Sequence, residues 1–431
     1  MNGSTVAREA PWHEARRRIL QGWDLVGGVR GLLVGALPLV LEAVSPQRVT
    51  VSIVIAGFYF VAALFLARPS MIDRPVLIYA ALAVVFVGLS LFRMETVDPL
   101  NAAQRAYGLT KATYYIEVAI PLAVAVALLV SSLNDLKPAV AVFMFVGVII
   151  ALATVVLRDP ALLGAARYAT QGNLIAIAGL LACQFWIIRD FRIVVAVQVL
   201  CVIGIVITQS RQSIAAYAIG LAFTGVYWFA ADRVRAAAGK VSRLMQMWAV
   251  PAVGYGLLLV AVLVWAALIL QPWIHMPKEI KDPVTCNCIV GRFVDVTIRP
   301  GGRNVLIEQG WALFVGHPFL GAGLGAFVGL APYPYPHNLP LEVAGEMGLL
   351  GVLVLLAPLV VGWVRLTLAG IRAASPAVAT AVIIVVVYVV VANLSGDLAS
   401  ERGLWVFGLV LLKLGWRRNP AEVGEAREAH P

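Results

Sequence analysis

Charge is what this chain has least of. Only 13% of its 431 residues are Asp, Glu, Lys or Arg, against 61% hydrophobic residues, where a soluble chain carries roughly a quarter charged residues. That shortage excludes an ordinary water-soluble globule. The chain also lacks alternating segments of roughly ten residues, which excludes a membrane β-barrel. Cysteine is scarce, at four residues. Cys183 and Cys201 fall inside apolar runs, where a small buried thiol is the default. Cys286 and Cys288 are too close for an easy mutual bridge, and with only His275 nearby they make a poor zinc set. No Asp-x-Asp pair stands in a loop to hold a divalent metal. The start is polar from Met1 to Arg18, and the first apolar run lacks an A-x-A-like site, so that run is expected to remain as a helix. No internal repeat or low-complexity tract is present.

What remains is a series of apolar runs, each long enough or nearly long enough to span a bilayer. They fall at about Asp24–Val44, Val49–Ala67, Pro75–Phe92, Ile116–Leu133, Ala139–Leu157, Asn173–Ile188, Phe191–Ile207, Gln212–Ala231, Ala249–Leu270, Leu339–Trp363, Ala377–Leu394 and Gly403–Leu414. The fold expected is all-α: a polytopic integral membrane protein of about 12 transmembrane helices, forming one domain over 1–431. One long loop, 271–337, is inserted between two spans. The polar stretch from Asp98 to Lys111 reads as an outer loop lying along the interface. The net charge of +10 points to topology and not to nucleic acid, because the basic residues sit in short loops between runs. Arg16, Arg17, Arg18, Arg68, Arg74, Arg189, Arg192, Arg233, Arg235, Lys240, Arg243, Arg365 and Arg372 crowd one side, which places both termini in the cytoplasm and the long loop outside.

Polar chemistry gathers at the outer face. Arg211 occupies the hinge Thr208-Gln209-Ser210-Arg211 between two apolar runs, with Gln212 and Ser213 beside it. Either it snorkels at a helix end, or it lines a cavity at the mouth of two packed helices. Arg303 closes the turn Arg299-Pro300-Gly301-Gly302-Arg303, and a guanidinium suits a bidentate grip on phosphate oxygens. After it a short amphipathic helix is expected, with Val305, Leu306, Trp311, Leu313 and Phe314 apolar. Gly321-Ala322-Gly323-Leu324-Gly325 imitates a dinucleotide fingerprint but follows no strand, so a tight turn explains it better.

His337 follows Tyr333-Pro334-Tyr335-Pro336, a stiff approach. It precedes Asn338, an N-cap candidate, and Pro340, tolerated in a first helical turn. Glu342 and Glu346 share one face of that helix and read as partners for the imidazole or for an arginine. Gly345, Gly348 and Gly351 recur at every third position, a pattern suited to close helix packing.

Three stretches in order, TQSRQSIAAYAIG at Thr208–Gly220, GRNVLIEQGWALFVGHPFLGAGLGAF at Gly302–Phe327 and PHNLPLEVAGEMGLLG at Pro336–Gly351, make the chain resemble the O-antigen ligase and polymerase superfamily of bacterial envelope glycosyltransferases. Some members carry Ser-Gly-Arg where this chain has Gly301-Gly302-Arg303. The resemblance implies a GT-C-like enzyme of the bacterial inner membrane, with a periplasmic active site and no cofactor or metal. Its donor would be an undecaprenyl-diphosphate-linked O-antigen and its acceptor the lipid A-core. Arg211 and Arg303 would bind the donor diphosphate and His337 would deprotonate the acceptor hydroxyl. Asn338, Glu342, Glu346, Gln212, Tyr335 and Trp311 would support them. With no appended C-terminal outer domain in the sequence, ligation is favoured over O-antigen polymerisation or protein O-oligosaccharyl transfer. From another class, a lipid or polysaccharide transporter would show an inverted repeat or intramembrane charge pairs, for which only Arg30 and Glu117 offer themselves. The topology has its own check. A cysteine introduced near Lys281 is expected to react with an impermeant reagent added outside, and one near Lys240 is expected to stay protected. The reverse pattern would invert the assignment.

Overall fold

The computed structural model describes residues 25–44, 48–67, 73–96, 101–157, 168–184, 187–188, 190–208, 210–237, 303–328, 330, 334–394 and 396–417. The run Ala249–Leu270 and the whole of the loop before Arg303, with Cys286, Cys288 and His275, lie outside these residues. Twelve helices occupy the described chain: α1 Leu25–Ala43, α2 Val49–Leu66, α3 Arg74–Thr96, α4 Ala102–Leu129, α5 Leu133–Leu157, α6 Tyr168–Ala182, α7 Phe191–Thr208, α8 Arg211–Ala237, α9 Arg303–Gly316, α10 Leu339–Ala373, α11 Pro376–Leu394 and α12 Arg402–Trp416. Eight of them, α2 to α5, α7, α8, α10 and α11, are long and apolar enough to cross a membrane. The protein is therefore all-helical among its described residues and polytopic. Of the twelve expected runs, eight meet this criterion among the described residues; the helices of three others, α1, α6 and α12, do not, α6 and α12 being short, and the run Ala249–Leu270 lies outside the described residues.

Helices α4 and α11 form the middle of the bundle, with most of their residues buried. Against α4 pack α2 and α12, and against α11 packs α8. Small residues let backbones approach: Gly362 of α10 meets Leu412 and Gly415 of α12, as expected where dispersion drives helix association. Polar pairs add to this inside α5 to α8. Gln171 donates to the Thr154 hydroxyl at 2.7 Å, Gln184 to the Thr224 hydroxyl at 3.1 Å, and Ser213 to Asn173 at 2.8 Å. The outer faces of α2 and α3 present Val54, Phe58, Leu64, Phe65, Ile78 and Val85, a surface suited to acyl chains.

One end of the bundle is tied by charge. Asp73, just before α3, meets Lys413 at 3.4 Å and Arg417 at 3.1 Å, and Arg30 meets Asp135 at 3.4 Å. Lys413 also donates to the Ala127 carbonyl at 2.6 Å. Arg30, read as an intramembrane charge, is thus paired at a helix end, while Glu117 is exposed.

At the other end the structure departs from the sequence reading in three ways. Residues 101–111, expected within an interfacial loop, begin a helix: Asn101 caps α4 by accepting from Gln104 N–H at 2.9 Å, and the helix carries Lys111 into the core. The described part of the long loop, from Arg303 onward, packs against the bundle, a contact the sequence reading did not foresee. Residues 317–323 run back alongside α10, where Ala322 and Gly323 N–H donate to the Gly345 and Glu346 carbonyls at 3.0 and 2.9 Å. Leu349 and Leu350 N–H donate in turn to the Pro318 and Phe319 carbonyls at 2.8 and 3.2 Å. Finally, Gly348 does not serve simple helix packing. It stands at φ +70° and ψ −170°, and it breaks α10. A break within an apolar span is sustained only where other protein groups meet the freed backbone, and the re-entering loop does that.

A Cβ on Gly348 would overlap the Phe319 carbonyl, in a backbone conformation that L residues rarely adopt, whereas one on Gly57 of α2 would meet nothing. Gly348→Ala is expected to lower stability by about 2 kcal/mol or more, and Gly57→Ala to leave it unchanged or slightly raised. Thermal melting in detergent reads both, and equal melting points would refute this account of the break.

Candidate functional site

The entrance to α10 is built locally. Asn338 has extended backbone, and its side chain accepts from Leu341 N–H at 2.9 Å. Its amide donates to the Asn393 carbonyl at the end of α11, at 3.1 Å. The cap is thus fastened to a second helix. Immediately before it His337 stands at φ +54°, one of two described non-glycine residues with positive φ. Such a step costs of order 1–3 kcal/mol and is characteristic of binding and catalytic positions. The Tyr335 ring meets the imidazole edge-on, with centroids 4.5 Å apart.

Below this entrance lies a buried charge cluster. The Lys111 ammonium contacts a carboxylate oxygen of Glu342 and lies 2.9 Å from one of Glu346, and all three side chains are no more than 2% exposed. Glu342 also accepts from Leu398 N–H at 3.1 Å, and Glu346 from Phe327 N–H at 3.5 Å. The Tyr107 ring covers the ammonium at 4.8 Å, while its hydroxyl donates to Asp397 at 3.4 Å. Among the described residues the partner of the two carboxylates is Lys111, a residue the sequence reading did not single out. Only the polar tract around it could have signalled it, and its partners are more than 230 residues away.

Beside the cluster, the link between α11 and α12 brings Asp397 and Glu401. Burial pushes the Glu401 carboxyl up to about 8; Asp397 adds to the rise and Arg402 opposes it. Burial likewise lifts the Tyr335 hydroxyl to about 12, with Asp397, Glu342 and Glu401 pushing the same way and Lys111 against. Tyr335 therefore remains a neutral hydroxyl beside His337.

The backbones of the two arginines reach the same end. Tyr227 of α8 donates to the Ser375 carbonyl at the far end of α11, and sixteen residues of helix span about 24 Å. That puts Arg211, the first residue of α8, level with Leu394 and Asn338. In α9, Gly310 packs on Leu341 and Pro336, and Leu313 on Gly345. α9 thus runs parallel to α10 and its first residue, Arg303, extends about 10 Å past Leu341. The side chains of Arg211 and Arg303 lie outside the described set. Ser210 and Ser213 are buried under the hinge, with hydroxyls 2.6 Å apart. Gln212 is half-buried, and Trp311 is exposed against Phe314. A small apolar groove of about 90 Å³ starts at Leu339, Pro340 and Asn393 and descends past Val389, Leu359 and Trp363.

Length, composition and burial define the class: a polytopic helical membrane protein with one polar end gathered around a capped, broken helix. Residues 196–356, a little over a third of the chain, match the family described as O-Antigen ligase. The match includes Arg211, Arg303 and His337. No curated protein matches the chain.

The raised Glu401 carboxyl has a thermal consequence. Its neutral form supports the fold fully below the unfolded value of 4.5, and that support is lost as pH rises through about 8. Melting points should therefore fall between pH 5 and pH 8, and Glu401→Gln should flatten the fall. An equally steep fall in the variant would contradict this origin.

Proposed function

We propose that the protein is an O-antigen ligase, transferring glycan from undecaprenyl diphosphate to the lipid A-core at the periplasmic face of the inner membrane, with both termini cytoplasmic. The observation that carries this reading is the left-handed His337 at the capped entrance of α10, inside the family-matched segment and at the bundle end that also holds the starts of α8 and α9. Both arginines are placed at helix N-termini, where backbone N–H groups and the helix dipole favour anions.

In this scheme Arg211 and Arg303 take the two phosphates of the donor and stabilise the charge that builds on diphosphate as it leaves. The neutral imidazole of His337 accepts the proton of the acceptor hydroxyl as its oxygen bonds to the anomeric carbon. Asn338 holds the cap, Tyr335 braces the ring, and Gln212 and Trp311 border the approach. Glu342 and Glu346 act through Lys111. No metal is invoked, because two guanidinium groups supply the positive charge. The groove below Pro340 and Asn393 suits the apolar tail of a lipid-linked substrate.

Polymerisation of carrier-linked repeats uses the same chemistry with a different acceptor. The transporter reading gains buried intramembrane charges in Lys111, Glu342 and Glu346. However, these are closed on one another, and they do not line the groove described above.

The test is transfer by the purified protein in vesicles containing a polyprenyl-diphosphate glycan and a lipid A-core acceptor, in the presence of EDTA. Arg211→Ala and Arg303→Ala are each expected to cost about 10²-fold or more in turnover, with lysine restoring only part. His337→Ala should lower turnover by about 10²–10⁴-fold with a smaller change in donor affinity. Full activity in both arginine variants, combined with loss of wild-type activity in EDTA, would replace the arginine scheme with a metal-dependent one.

A further inference from the structure

We propose that Lys111 is a positioning residue for His337: its ammonium clasps the first two turns of α10 through Glu342 and Glu346, and so fixes the left-handed step at the helix mouth and offsets the carboxylate charge beside the imidazole. The inference rests on the reading of His337 as proton acceptor.

Taking a lysine and two carboxylates out of water costs several kcal/mol per ion, and well-packed apolar residues often stabilise a fold as well or better. This cluster is moreover held at the expense of regular helix. Directly after Lys111, α4 passes through a π-helical turn at Tyr115–Ala119. Directly after Glu346, α10 breaks at Gly348 and then makes its own π-helical turn at Val352–Leu356. The Tyr79 hydroxyl donates to the Leu355 carbonyl at 3.0 Å, between the two irregular segments. Such turns within α-helices are most frequent at functional sites. Here they let residues on two helices meet face to face.

From the cluster the connection to His337 is short. Glu342 N–H donates to the Asn338 carbonyl at 2.9 Å, and Asn338 is the residue after the left-handed step. The titratable and charged groups around Tyr335 and His337 come from several elements. Glu342 lies on α10, Lys111 and Tyr107 on α4, and Asp397 and Glu401 on the link before α12. Arg211 and Arg303 begin helices at the same end. Among these groups Lys111 is the cation that α4 supplies, set against the carboxylates of Glu342, Asp397 and Glu401, with Arg402 beside Glu401 at the start of α12.

The experiment follows His337 itself as well as turnover. Carbethoxylation by diethyl pyrocarbonate, which requires the neutral imidazole, is measured at the His337 peptide by mass spectrometry as a function of pH. In Lys111→Met the midpoint should rise by about half a pH unit or more, the acidic limb of the transfer rate should move with it, and kcat should fall at least tenfold while donor KM changes less than threefold. Lys111→Arg should keep the wild-type midpoint and most of the turnover. Should Lys111→Met fail to insert stably, Glu342→Gln carries the test, since it leaves Lys111 paired with Glu346 and should lower the midpoint. A midpoint that moves in none of these variants overturns the proposal. A midpoint that moves as stated, in a protein that transfers no glycan, upholds the clasp and removes the catalytic reading of His337 instead.

Discussion

One buried ammonium between two carboxylates sets the geometry of the polar end of this protein. Lys111 cannot be left alone in an apolar interior, and neither can Glu342 or Glu346. Meeting that requirement draws α4 against the first turns of α10. The constraint then spreads: Glu342 takes the Leu398 N–H, Glu346 takes the Phe327 N–H, and Tyr107 joins the ammonium to Asp397. Three separate stretches of chain are thereby locked to one helix start. The opposite end is tied by Asp73 to Lys413 and Arg417.

The broken helix follows from the same demand. Gly348 releases backbone groups that a membrane would leave unpaired, and residues 317–323 satisfy them by folding back beside α10. The glycines of the Gly321–Gly325 turn make this possible, since a Cβ on Gly321 would overlap the backbone at Glu346 and Met347. The loop is thus both the approach to His337 and the plug that allows its helix to break.

Much of this was legible in the sequence. Apolar runs mark the helices because lipid leaves little choice of composition, and eleven of the twelve runs coincide with described helices. The twelfth lies outside the described residues. The Asn338 cap and the Pro340 that follows it are local signals, as is the glycine-rich turn, and each appears where its chemistry places it. What was not legible is long-range. Lys111 sits in a tract with Gln104, Arg105, Tyr107 and Thr110 that reads as solvated loop, and its meaning depends on partners on a distant helix. The glycine triplet of α10 has packing spacing, and only tertiary contact shows that Gly348 is a break. Arg30 and Glu117 stand out as intramembrane charges because they interrupt apolar runs, whereas Glu342 and Glu346 read as a pair on one helix face whose cation, Lys111, lies just outside a run more than 230 residues away.

The account stands or falls on whether the ends of α8 and α9 and the mouth of α10 address one ligand. A structure of the protein with a bound polyprenyl diphosphate tests this most directly. The account predicts both guanidinium groups, of Arg211 and Arg303, within hydrogen-bonding distance of the same diphosphate, and the His337 imidazole facing the site of the incoming hydroxyl, about 3 Å from its oxygen. A diphosphate held by other residues, or an imidazole turned away behind the Asn338 cap, would contradict it.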